Sequence, residues 1–351
     1  MNKTLIYGII VIVLGGISAF ILLKPSSTLA DDEKIFSIDD VTTISKIFMV
    51  DMEGSSILLE RKVDHWRVNG KFNARRDAVA VLLSTIKKVR TYYPVAVPAH
   101  NNAVKEMAAH HVKVQIYGEK RFMLFFKRVT DEPILTYYVG GSTNDHTGTF
   151  MFLAGSPTIY VTHIPGFEGY LTPRYFVIEK DWRERIVFDF TPEDIRTISI
   201  DYPLAKANGL IIDVDDNNSP QVKPFHSDPG LDIPQGSVNQ NLLTQYLANF
   251  KGIGLENYVN SYYRRDSITA TTPFAIITVT DKDGKETNLS AYYMPINKRS
   301  KMKFDNEGNP LKFDRDRMFA LVNDEVDFVV IQWYVFGKIL LTYENFLTRE
   351  G

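Results

Sequence analysis

The chain has 351 residues, of which 44% are hydrophobic and 23% charged, with a formal net charge of -2 at neutral pH. Such a composition suits a globular protein of about two domains and gives no global attraction to nucleic acid. The chain has no cysteine, which excludes a lipid-attachment thiol, structural disulfides and thiolate metal sites.

Residues 5–23 are uncharged throughout. As a helix at ~1.5 Å per residue they reach about 28 Å, close to the ~30 Å hydrocarbon core of a bilayer. They are expected to form one membrane anchor, with Leu5, Ile10, Leu14, Phe20 and Leu23 along it. Lys3 and the amino terminus precede the run, while Lys24 after it is followed quickly by Asp31, Asp32 and Glu33, so the positive-inside bias leaves the amino terminus in the cytoplasm and the bulk outside. A cleaved signal peptide competes, with small residues at Thr28-Leu29-Ala30, but signal apolar regions usually run only ~7–15 residues. The expected layout is an anchor over 1–24, a flexible tether over 25–35, and two repeats over 36–189 and 190–351.

The repeat is carried by its opening words. Phe36-Ser37-Ile38-Asp39-Asp40-Val41-Thr42-Thr43-Ile44-Ser45 returns without a gap as Phe190-Thr191-Pro192-Glu193-Asp194-Ile195-Arg196-Thr197-Ile198-Ser199. Ser37 or Thr191 is expected to cap one helical turn, the neighbouring acids suit its positive end, and Pro192 fits its first position. Equivalent strands are expected from Thr43 and Thr197.

Residues 44–50, 56–60 and 65–68 then read as short strands separated by turns such as Glu53-Gly54. Asn73 is placed to cap a helix carrying Val79, Leu82, Leu83, Ile86 and Val89 at helical spacing. Strands follow over 112–117, 122–126 and 135–139. The second copy offers Ser237 and Gln240 as a capping box before Leu243, Tyr246, Leu247 and Phe250, then strands over 275–280 and 287–293. Each copy closes on a hairpin, around Gly155-Ser156 or Asn323-Asp324, and a short helix holding Phe167 or Phe336. Strands grouped around an amphipathic helix predict an α+β fold. It comprises two tandem repeats of mostly antiparallel sheet with an amphipathic helix each, plus one N-terminal transmembrane helix.

Signals for chemistry are sparse. No phosphate-binding glycine loop, dinucleotide fingerprint or nucleophile-elbow motif occurs, so no cofactor and no catalytic residue is assigned. Residues 213–218 begin like a calcium loop, but Asn218 stands where glycine is required and Pro224 at the bidentate Glu position, so a polar turn is expected and no metal. His110 and His111 point to different sides of either a strand or a helix and do not readily share a metal. Asn144-Asp145-His146-Thr147, after Gly140-Gly141, sets an acid beside an imidazole in a loop and is the candidate for catalysis. Residues 295–317 are an insertion of the second copy carrying Lys298, Arg299, Lys301 and Lys303, candidate partner-binding cations whose bland alternative is a solvated hairpin tip.

Several words are family-like: His65-Trp66-Arg67-Val68-Asn69-Gly70, Tyr138-Val139-Gly140-Gly141, Ile164-Pro165-Gly166-Phe167 and Tyr170-Leu171-Thr172-Pro173-Arg174-Tyr175-Phe176. Behind a single expected span they resemble the bacterial envelope family called domain of unknown function 4340, in its Bacteroidetes-type form. The resemblance implies an extracytoplasmic role accessory to an ABC transporter of gliding-motility type, and the expected span makes this a single-pass inner-membrane protein with its bulk in the periplasm. It brings no catalytic residues. The expected function is therefore binding or scaffolding toward a membrane or envelope protein, with no nucleic acid and no enzymatic activity. The competing expectation is an envelope hydrolase or glycan-modifying enzyme using the loop around Asp145 and His146.

Overall fold

The computed structural model describes residues 33–122, 126–129, 131–322 and 325–348. Two compact units divide after Arg183, ahead of the division expected at Asp189. Phe188 explains the difference, because Ile186–Phe188 pairs with Ile253–Gly254 and Phe188 is buried in the second core.

The first unit opens with β1 (Ile44–Asp51), β2 (Ser56–Arg61), β3 (Trp66–Val68) and β4 (Phe72–Asn73), then helix α1 (Arg76–Lys88). It continues through β5 (Arg90–Pro94), helix α2 (Val97–Ala109), β6 (Val112–Phe122), β7 (Phe126–Val129), β8 (Leu135–Ser142), β9 (Thr149–Leu153), β10 (Tyr160–His163) and a short α3 (Glu179–Trp182). The strands line up as β4-β3-β2-β1-β6-β8-β9-β10-β5, with β7 paired to β6 off this path. α1 places Val79, Leu82 and Ile86 on one stripe against Ile47, Leu59 and Val114 of the sheet, all fully or nearly buried. Each such side chain contributes about 1.5–3 kcal/mol relative to exposure.

The second unit runs β11 (Ile186–Phe188), β12 (Ile195–Asp201), β13 (Leu210–Val214), β14 (Pro220–Pro224), β15 (Ser237–Val238), α4 (Gln240–Leu247), β16 (Ile253–Gly254) and β17 (Asn257–Tyr258). Then come α5 (Arg265–Thr269), β18 (Ala275–Asp281), β19 (Glu286–Pro295), β20 (Phe313–Val322), β21 (Asp327–Gln332), α6 (Trp333–Phe336) and β22 (Leu347–Thr348). Its main sheet is ordered β14-β13-β12-β18-β19-β20-β21-β17. That is the order of the first sheet from β3 onward, β4 having no counterpart, with β5 and β17 closing the same edge. α4 covers its core face through Leu243, Tyr246 and Leu247.

Equivalent strands are matched three residues away from where the repeated words place them. Ile44 and Ile195 open β1 and β12, and each is followed at once by a register irregularity against its neighbour, β6 or β18. Ile47 lies between Leu59 and Ile116, and Ile198 between Ile212 and Val279, so Ile198 corresponds to Ile47 and not to Ile44. The caps shift with the register. Asp40, not Ser37, caps the 3-10 turn Val41–Thr43 by accepting from the Thr42 backbone N–H at 3.1 Å. Thr191 caps Pro192–Asp194 in a reciprocal box with Asp194. Asp40 thus does the work of Thr191, although the words align it with Asp194.

Other expected caps are replaced. α1 starts after Arg75 without a side-chain cap, and Asn73 ends β4 instead. Asn239, not Ser237, caps α4 by accepting from the Leu242 N–H, while Ser237 pairs with Thr348 and the Gln240 amide donates to the Pro220 carbonyl. Phe336 lies in a short helix as expected; Phe167 lies in a turn. The hairpin tip at Asn323-Asp324 lies outside the described residues.

The α+β expectation with a transmembrane helix is corrected. Among the described residues the molecule is mostly antiparallel sheet with few helices, two of 13 residues with the first sheet and one of eight with the second. Among the described residues no helix is long and apolar enough to cross a membrane. The longest, α1 and α2, have 13 residues each and reach about 20 Å at ~1.5 Å per residue, short of the ~30 Å core. The span expected at 5–23, with Leu5, Ile10, Leu14, Phe20 and Leu23, lies outside the described residues. The single-pass inner-membrane assignment is corrected accordingly, and the periplasmic placement that rested on it falls with it.

Candidate functional site

The two stretches singled out in the sequence occupy the same topological position. Asp145 and His146 lie in the β8–β9 connection, and Lys298, Arg299, Lys301 and Lys303 lie in the β19–β20 connection, its equivalent in the second sheet. The first is short and the second long, which hides the equivalence from sequence alignment.

The β8–β9 loop closes on itself. The Asp145 carboxylate accepts from the Thr143 and Thr147 hydroxyls, at 2.5 and 2.7 Å, and from the Thr147 N–H at 3.2 Å. Those bonds, from Thr143 first, hold its pKa down at about 2. His146 turns away, with Nδ1 2.9 Å from the Ser142 hydroxyl and its ring 5.9 Å from that of Tyr170. Its backbone φ of 58° places it at the left-handed corner of the turn. Neighbouring in sequence, Asp145 and His146 are not brought together. A carboxylate ionised to such low pH and already accepting three hydrogen bonds is poorly matched to proton abstraction near neutrality.

The β19–β20 loop is pinned at its base and open beyond. The Ser300 hydroxyl donates to Asp314 Oδ2 at 2.6 Å, with both residues only 5% exposed, and Asp314 Oδ1 accepts from the N–H groups of Asp316 and Arg317. The Arg317 guanidinium also donates to the Arg299 carbonyl at 3.2 Å. Further out, Leu311 N–H donates to the Lys303 carbonyl, and Asp305 closes the tip by accepting from the N–H groups of Glu307 and Asn309. Lys298, Arg299, Lys301 and Lys303 are all exposed, and Met302 and Phe304 stand among them 42% and 58% exposed. Lys301 approaches Asp316 no closer than 4.0 Å. At the root lies an open cavity of about 440 Å³ lined by Tyr293, Lys312, Phe313, Arg315 and Trp333. Sequence reasoning missed Ser300 and Asp314, because a lone serine in a basic run carries no sign of a partner 14 residues away.

The opposite sheet faces also differ between the units. α2 was not expected, since residues 97–102 lack an apolar period. Its Met107 rests on bare backbone: a Cβ at Gly140 would come within 2.1 Å of the Met107 sulfur. Open cavities of about 560 and 310 Å³ flank it, the larger bordered by Tyr93, Glu106, Asp145 and Phe150, the smaller apolar around Val104, Phe152 and Ile159. In the second unit the corresponding face is filled by Ile268, Tyr292, Met294, Phe319, Leu321 and Phe328.

The remaining candidates are structural. Asp215 accepts from the N–H groups of Asn217 and Ser219, so the calcium-like stretch is a polar turn. His111 Nδ1 lies 2.7 Å from the Met107 carbonyl and its ring against Tyr138, while His110 is exposed. His226 and Asp201, which the sequence did not flag, meet at 2.8 Å. Among the described residues no group of three His, Asp or Glu side chains is arranged to hold a metal ion.

A family model described as Domain of unknown function (DUF4340) matches residues 66–273, more than half of the chain, from β3 to the approach of β18. No curated protein and no solved structure matches. With the match running across both units, the chain belongs to the DUF4340 family.

Proposed function

We propose that this protein acts by binding a macromolecular partner, with the β19–β20 loop as its contact surface. The observation that carries the reading is the buried Ser300–Asp314 hydrogen bond, which fixes the base of a loop whose cations and apolar side chains stay exposed. Holding a loop in place before contact lowers the ordering cost of association. Arg299 suits paired contacts with carboxylates or phosphates, and the lysines add steering charge. The transporter role implied by the family resemblance is the narrower form of this reading, so transporter subunits are the first partners to assay.

The test is charge reversal of Lys298, Arg299, Lys301 and Lys303 to Glu in the full chain, followed by quantitative co-purification from the native organism. Partner recovery is expected to fall about tenfold or more at low salt, and the deficit to narrow as salt screens the native attraction. Recovery equal to that of the unaltered chain reduces the loop to a solvated hairpin tip.

A further inference from the structure

We infer that the partner presents an extended acidic segment carrying one aromatic side chain, the acids meeting the β19–β20 cations and the aromatic entering the cavity at the loop's root. This rests on the partner-binding reading above and adds the chemistry of what is bound.

The loop's own carboxylates are spent on internal partners. Asp314 is buried against Ser300 and two backbone N–H groups, and Asp305 is engaged by its own turn, where the Asn309 N–H above all holds its pKa below the usual range. Asp316 faces Lys301 at 4.0 Å. Among the described residues, Lys298, Arg299, Lys303 and Lys312 have no carboxylate within salt-bridge distance, and Arg315 acts on Asp305 only through its charge, with no ion pair between them. An anionic partner therefore meets cations that need not first be released from internal pairs.

Stacked rings wall the cavity at the loop's root. Tyr293 stacks on Phe274 at 4.4 Å and on Phe313 at 4.8 Å, and Phe274 stacks on Trp333 at 5.6 Å. This array packs the cavity wall while Tyr293 remains 42% exposed, and Lys312 lies 5.1 Å from the Phe313 ring centre. A volume of about 440 Å³ lies within the ~300–1,000 Å³ of ordinary ligand pockets. Aromatic walls beside Lys312 and Arg315 favour an aromatic side chain flanked by carboxylates over a simple inorganic anion, which gains nothing from the rings. Leu311 joins the two parts, since it lines the cavity and its N–H bonds the Lys303 carbonyl.

The experiment is selection of a displayed library of random 12-residue peptides on the purified full chain, with affinities of enriched peptides then measured by fluorescence anisotropy. Enrichment of Asp and Glu around a single Trp, Phe or Tyr is expected. Replacing that aromatic with Ala should weaken binding about tenfold, and so should Arg315→Glu in the protein. Enriched peptides without acids, or binding indifferent to the aromatic and to Arg315→Glu, would overturn the inference, as would no enrichment. Polyphosphate or anionic vesicles competing as strongly as the best peptide would also overturn it, by showing that charge alone is read. If co-purification responds to the four-residue reversal while peptides fail, the binding reading stands and this inference falls; if neither responds, both fall.

Discussion

The two hairpin loops at equivalent positions show how one fold accommodates opposite local designs. Residues 143–148 use an acid to satisfy their own backbone and hydroxyl groups, leaving Asp145 ionised but occupied. Residues 296–312 bury one acid, Asp314, under the loop and leave the cations outside. Loop length decides between them, because a short hairpin has no room to cover a carboxylate whereas a long one can fold back over it. The second faces reverse the pattern. The unit with the open loop has the filled face around Phe328, and the unit with the closed loop has the open face around α2.

The sharpest way to break that contrast is in the packing. Phe328→Ala should cost about 3–5 kcal/mol, because its fully buried ring leaves a cavity its neighbours cannot fill. Met107→Ala should cost nearer 2 kcal/mol, the low end for such truncations, since α2 already borders open space and can settle. Urea unfolding of both variants checks the ranking, and equal losses would mean the α2 face is as tightly packed as the other.

Asp314→Ala comes next, at about 1–3 kcal/mol, for it strands the Ser300 hydroxyl and two backbone N–H groups. Hydrogen exchange should quicken over residues 297–303 and leave 143–148 unchanged. Exchange spread evenly over both loops would show that the pin is not local.

Asp145 offers a test by titration. Its folded pKa of about 2 lies below the ordinary ~3.9, so its stabilising contribution is present above about pH 4 and is lost as pH falls through 2. Carboxyl NMR should give a midpoint near 2, and Thr143→Val should raise it. A midpoint near 4 would break the self-closed description. The smallest effect is expected from the four-residue charge reversal, whose thermal stability should stay within about 0.5 kcal/mol of the unaltered chain because these side chains are exposed.

The apolar periodicity of residues 76–88 and the alternation around 44–50 were enough to find α1 and most strands, since burial of one face imposes those periods locally. The repeated opening words were visible too, yet they misplace the register by three residues. Caps are chosen by local hydrogen bonding, and both Asp40 and Asp194 satisfy similar groups from different positions. Only the tertiary structure decided which strands are neighbours, that the two candidate loops share one position, and that α2 rests on the bare backbone of Gly140. It also separated Asp145 from His146 and joined Ser300 to Asp314. Such pairings depend on backbone direction and burial at points distant in sequence, and residue order alone carries no record of them.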